Sequence, residues 1–120
     1  MSDPAILDPT VLDTLRQLTP PGEPDVLTEV LTLFLQELPR RIEQLRNACA
    51  AGDIQEVQRS AHSLKGSAGN IGASALLDVC RQLDEHSKAG AREQLGPLVD
   101  ALGVEFGKVE VEIRRLIQAT

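Results

Sequence analysis

Between residues 25 and 118, apolar side chains recur at every third or fourth position through four successive segments, and glycines at 52, 72 and 90 stand at the breaks. An α-helix turns once in about 3.6 residues, so this spacing keeps one face of each segment apolar and predicts four amphipathic helices. The first runs from about Asp25 to Ala51 with Leu27, Val30, Leu31, Phe34, Leu35, Leu38, Ile42, Leu45 and Cys49 in phase. Pro39 lies inside it and removes one backbone hydrogen bond. The apolar phase continues across the proline, which predicts one kinked helix and not two. Asp53, with Glu56 three residues on, has the form of a capping box and opens the next helix. Its inward face is Ile54, Val57, Ala61, Leu64, Ala68 and Ile71, and Gly72 stops it. The following helix spans about Ala73 to Lys88, with Leu76, Val79, Cys80 and Leu83 inward and Gly90 as terminator. The last spans about Ala91 to Gln118, with Leu95, Leu98, Leu102, Phe106, Val109, Ile113 and Leu116 in phase. Gly96, Pro97, Gly103 and Gly107 lower its helix propensity, and nothing in the sequence accounts for them.

Upstream lies a shorter helix over residues 8–18, with Asp8 as N-cap, Pro9 in the first turn and a stripe of Val11, Leu12, Leu15 and Leu18. Residues 1–7 are expected to be flexible. Pro20, Pro21, Gly22 and Pro24 then make a loop. The chain contains two Phe and no Trp or Tyr, so the core must be built from Leu, Val, Ile and Ala. That palette favours helix-on-helix packing. Short connections imply antiparallel neighbours. The expected fold is all-α: an antiparallel up-down four-helix bundle over residues 25–118, with the short extra N-terminal helix packed at one end. A length of 120 residues fits a single domain.

The net charge of −6 argues against nucleic acid, whose phosphates need clustered Lys and Arg. Without aromatic platforms, single-strand stacking is also excluded. No apolar run approaches a membrane span, and Met1-Ser2-Asp3-Pro4 carries no basic, apolar leader. A cytoplasmic protein is the expectation. Cys49 and Cys80 fall inside helical apolar patterns and read as small hydrophobes in a reducing compartment, not as a disulfide. One bundle can bury its own core and leaves no heptad seam, so a monomer is expected.

The chemistry-bearing residues lie on the helix opened by Asp53, away from its core stripe. At about 100° per residue, Gln58, His62, Lys65, Gly66 and Gly69 fall together on one flank at spacings of three and four. Two glycines inside a helix cost about 1 kcal/mol each relative to alanine, so their position one and two turns after a histidine needs a reason. Access supplies one: without a β-carbon at 66 or 69, the imidazole stands clear for another protein to approach. Lys65 can place an ammonium near an anion on the ring. An ordinary imidazole titrates near about 6.5, and its neutral form is a nucleophile. An exposed ring, a nearby cation and cleared surroundings suit reversible phosphorylation.

The run Ala61-His62-Ser63-Leu64-Lys65-Gly66-Ser67-Ala68-Gly69-Asn70-Ile71-Gly72, followed by Leu76, Cys80 and Leu83, resembles the signature of histidine-phosphotransfer (HPt) domains. The likeness is tightest over residues 61–84. It implies that His62 is the phosphoacceptor through its outer ring nitrogen, Lys65 the phosphate-side cation and Gly66 the clearance position. Asp84 matches a position usually held by Glu or Gln in that family and is the candidate imidazole orienter, with a shorter side chain than the family uses. The resemblance also implies exchange of phosphoryl groups with the aspartate of response-regulator receiver domains and work alongside hybrid or sensor histidine kinases. The magnesium of that reaction would sit on the receiver, with no cofactor on this chain. Gln58, Arg59, Ser67, Gly69 and Asn70 are the candidate docking residues around His62.

Three function classes compete. The leading one is a phosphocarrier without turnover chemistry of its own. The second is a helical module that docks receivers or kinases without being phosphorylated; the presence of both His62 and Lys65 argues against it. The third is an HPt fragment of a larger hybrid kinase. The chain lacks the length and the glycine-rich nucleotide motif of an ATP-binding domain, and a starting Met1 is compatible with a free-standing protein. Ser63 and Ser67 have no paired base and read as ordinary helix residues. His86, near the end of its helix, reads as a partner of the helix dipole. A metal set of His62, Cys80, Asp84 and His86 matches no common ligand spacing.

Overall fold

A computed structural model describes residues 6–118 and places five helices along them: α1 (Pro9–Gln17), α2 (Val26–Ala50), α3 (Ile54–Asn70), α4 (Ser74–Lys88) and α5 (Arg92–Gln118). No strand occurs among the described residues. Helices α2 to α5 pack in a closed ring, each on its sequence neighbours and α2 on α5, while α1 lies against α2 at one end. This is the up-down four-helix bundle with a short additional helix that the periodicity predicts.

The three turns of the bundle are built alike. Gly52, Gly72 and Gly90 have φ of 72°, 70° and 71°, the left-handed conformation that glycine adopts without a Cβ penalty. After each glycine, the next amide reaches back to the helix it has left: Asp53 to Ala48 O, Ala73 to Ala68 O and Ala91 to His86 O, each at 2.9 Å. These are Schellman closures, which satisfy carbonyls that a helix end would otherwise orphan. At Gly72 there is a second constraint. A Cβ there would stand 2.7 Å from Asp8 Cβ and 2.9 Å from Asp8 N, and the Asp8 amide donates to Gly72 O at 2.9 Å. The α3–α4 turn is thus the dock for the start of α1.

Residues 1–5 of the expected flexible stretch lie outside the described residues. Leu7 at its end is buried with 4% exposure, so the chain is anchored one residue before Asp8. Asp8 caps α1 as expected, accepting from Thr10 N at 2.9 Å, but Leu18 does not join the stripe. The helix stops at Gln17 and Leu18 is 61% exposed at its cap. The connection to α2 is held by Thr19, whose hydroxyl accepts from Val26 N at 2.9 Å and donates to Asp25 Oδ1 at 3.3 Å.

Helix α2 runs unbroken through Pro39, whose missing N–H falls on the solvent face. The stripe ends differently from the sequence expectation. After Leu45 the inward step is three residues, burying Ala48 to 8% and leaving Cys49 half-buried beside the turn. In α5, Val99 at 2% exposure takes the inward place and Leu98 flanks it, because Leu95 and Leu102 are bridged by a step of four and then three. That helix is also continuous despite Pro97. At Gly103 a Cβ would meet the Arg46 guanidinium at 3.1 Å, so this glycine makes room for an α2 side chain; Gly96 and Gly107 face open space, and nothing in the structure explains them.

The capping box at α3 is half formed. Asp53 accepts from Glu56 N at 3.2 Å, but Glu56 does not return to the Asp53 amide, which the Schellman closure already occupies. The Glu56 carboxylate instead accepts from Arg59 at 2.7 Å and Ser60 at 3.2 Å.

Candidate functional site

Helix α3 presents its buried face, Val57, Ala61, Leu64 and Ala68, to the core. Those four residues fix its rotation, and with it the exposure of His62 on the outer surface. Gly66 and Gly69 are also exposed, and a Cβ built at either has no neighbouring atom within 4 Å. Neither glycine is there to admit another helix of this chain. The open strip they leave runs along the side from which a partner could reach the ring.

On the α4 side of this strip, Lys65 Nζ donates to Asp84 Oδ2 at 3.0 Å. Lys88 Nζ donates to the same oxygen at 3.3 Å. Asp84 is 2% exposed and is the only charged residue buried among the described residues. Burial pushes its carboxyl toward the neutral form. The hydrogen bonds and charges of Lys65 and Lys88 pull harder the other way, so its pKa lies below the ordinary carboxylate value and it is ionised at neutral pH. Its second oxygen, Oδ1, is buried with no hydrogen-bond partner. Both bonds to the Asp84 carboxylate therefore come from lysines and none from His62: the structure joins Asp84 to Lys65 across the α3–α4 contact.

One turn before Asp84, the buried Cys80 thiol is pushed up to about 12 by burial, against the opposing charge of Lys65. It stays protonated. His86 is half-buried farther along α4. Among the described residues no three His, Cys, Asp or Glu side chains gather as a metal-ligand group.

The α2 side carries a cation that the sequence reading missed. Arg41 Nη1 donates to Ser63 Oγ at 3.0 Å and to Ser67 Oγ at 3.3 Å, and its Nη2 pairs with Glu37 at 3.3 Å. Ser63 and Ser67 are thereby tied to α2, which gives two plain helix residues a structural task. No local pattern signals this contact, since Arg41 and Ser63 are 22 residues apart. Lys88 was legible in part, because it follows Asp84 by four residues on the same helix. Of the candidate docking residues, Arg59, Gly69 and Asn70 are exposed, and Gln58 and Ser67 half-buried. All five belong to α3, but Arg59 is turned to Glu56 and Ser67 to Arg41.

Comparison with known proteins agrees with this geometry. The model of the Hpt domain matches residues 29–120. The chain is 26% identical over 103 residues to histidine-containing phosphotransfer protein 2 of Arabidopsis thaliana, covering 83% of this chain and 66% of that protein. It thus spans about two thirds of that relative's length. Among solved structures, histidine-containing phosphotransfer protein B from Pseudomonas aeruginosa superposes with a TM-score of 0.90 at 28% identity, covering 98% of this chain and 99% of that one. A rice protein described as a histidine-containing phosphotransfer protein shares the fold at a TM-score of 0.82 and 22% identity, covering 94% of this chain and 80% of that one. A family match across most of the length, on a bundle that bares one histidine beside a lysine and two open glycines, has one consequence: this chain belongs to the Hpt domain family.

Proposed function

We propose that this chain carries a phosphoryl group on His62 within a phosphorelay, taking it from and returning it to the aspartate of response-regulator receiver domains. The observation that carries the reading is the bare α3 strip: His62 exposed, with open space over Gly66 and Gly69. In the transfer, the lone pair of the outer ring nitrogen attacks the phosphorus of an aspartyl phosphate. The bond between phosphorus and the aspartyl oxygen breaks, and the carboxylate leaves with that electron pair. Return transfer reverses the same steps. The neutral ring needs no general base for this attack, since the attacking nitrogen bears no proton. The negative charge on the transferred group is offset on this chain by Lys65.

Magnesium in this scheme belongs to the receiver's own site, and this chain acts as a carrier that is consumed and regenerated. Hybrid or sensor histidine kinases feed the relay upstream. The partner lies over Gly66, Gly69 and Asn70, with Gln58 and Arg59 at one margin and Ser67 at the other. Asp84 acts by holding Lys65, and its unpartnered Oδ1 is the acceptor left for an orienting bond from the ring's inner nitrogen. A monomeric, cytoplasmic protein fits this role, and no helix among the described residues is long and apolar enough to cross a membrane.

The test is phosphoryl transfer to the wild type and a His62→Gln variant from a panel of phosphorylated receiver domains. Acid-labile, alkali-stable label on the wild type and none on the variant is the expected result. Equal label on both would move the site, and binding of receivers without label on either would leave a docking module in its place.

A further inference from the structure

The mechanism above needs Lys65 at the phosphoryl group, yet in this structure Lys65 is engaged elsewhere. Its ammonium is bonded to a carboxylate with 3% side-chain exposure, between α3 and α4. His62 is exposed on α3 and Lys65 follows it by three residues on the same flank, so a phosphoryl group on the ring would draw Lys65 outward and away from Asp84. A buried carboxylate stripped of its cation is strongly unfavourable, so Asp84 on its own would hold Lys65 back. The second lysine changes this balance. Lys88 donates to the same oxygen, Oδ2, from the last position of α4, and its side chain is 57% exposed. It therefore reaches the buried oxygen from solvent, along its own helix, without depending on α3.

We infer that Lys88 is a positioning residue for phosphoryl carriage: it keeps the buried Asp84 carboxylate paired while Lys65 leaves it for the phosphoryl group on His62. The inference rests on the carrier reading of His62. The two lysines are then not redundant. One is the cation that moves, and the other covers the charge that the first abandons. Lys88 also sits where a cation meets the negative end of the α4 dipole. If that were its whole task, replacing it would change stability alone.

The test uses the full chain and phosphoramidate as a small phosphoryl donor, which removes any dependence on a particular receiver. The rate of phosphohistidine formation is measured for the wild type, Lys88→Met, Lys88→Arg, Asp84→Asn and the Asp84→Asn/Lys88→Met pair. Lys88→Met should slow the wild type about fivefold, the scale of one partly exposed charge pair. Lys88→Arg should restore most of the rate, and Lys88→Met should have no effect once Asp84 is neutral, since no buried charge is left to cover. A Lys88→Met effect of equal size in both backgrounds, or none in either, overturns the inference. A wild type that takes no label on His62 overturns the carrier reading itself, and the inference with it.

Discussion

Replacing Gly66 by alanine separates what the site does for the fold from what it does for a partner. Gly66 lies inside α3 with helical backbone, and a Cβ added there meets nothing within 4 Å. The substitution therefore brings no clash and removes glycine's excess freedom in the unfolded chain, which stabilises by about 1 kcal/mol. Unfolding entropy of about 2.1 cal/mol/K per residue gives a chain of this length about 0.25 kcal/mol/K, so Tm should rise by about 4 °C. The same methyl group projects into the open strip one turn from His62. Transfer from a phosphorylated receiver should fall at least about tenfold, because close approach of two protein surfaces tolerates little added volume. Phosphorylation by phosphoramidate should stay within about twofold, since a small donor needs no such approach. Thermal melting by circular dichroism and the two labelling rates measure all three quantities. A lower Tm, or receiver transfer as fast as wild type, would refute the view that this glycine keeps the surface clear.

Asp84→Asn should cost about 1.5–3 kcal/mol in urea unfolding, the worth of hydrogen bonds to a charged group. Because the native carboxyl titrates below its ordinary value, its stabilisation is full above about pH 4 and disappears as pH falls through the lowered native value. The gap between wild type and Asp84→Asn should therefore narrow in acid; a gap constant from pH 7 to 3 would contradict the charge pairing. Gly72→Ala forces a side chain into φ of 70° and against Asp8, and a loss of at least about 2 kcal/mol is expected in the same assay. Cys80, buried and with its thiol pushed up to about 12, should resist a thiol reagent in the native state and react on unfolding, while half-buried Cys49 reacts first; mass spectrometry of timed samples reads the order.

The bundle was legible because its two signals reinforce each other. Steps of three and four along α3 select Val57, Ala61, Leu64 and Ala68 as one face, and glycine at 52, 72 and 90 marks where left-handed backbone must close each helix. The bareness of His62 follows from that same phase. What periodicity lacks is the far side of a contact. It says which way a residue faces but not what meets it there, so neither the Arg41 bonds to Ser63 and Ser67 nor the pairing of Lys65 with Asp84 could be read off. The errors at Leu18 and at Cys49 fall at helix ends, where one residue more or less decides whether a side chain joins the stripe. Glu56 was misjudged for a different reason: the turn before α3 had already used the amide that a full capping box requires.

The three like turns also set the order in which this molecule can come apart. Helix α3 is joined to both of its ring neighbours, α2 and α4, by three-residue connections that hold each pair close even when packing loosens. Within the ring, only the α2–α5 seam joins helices that are not neighbours in sequence, so closing it carries the largest chain-entropy cost of the four and it should open first. Amides of α5 should then exchange with solvent by partial openings that leave α3 protected. Helix α3, which carries His62, and helix α4 are thus the two parts of the ring least exposed to the breathing of their own scaffold.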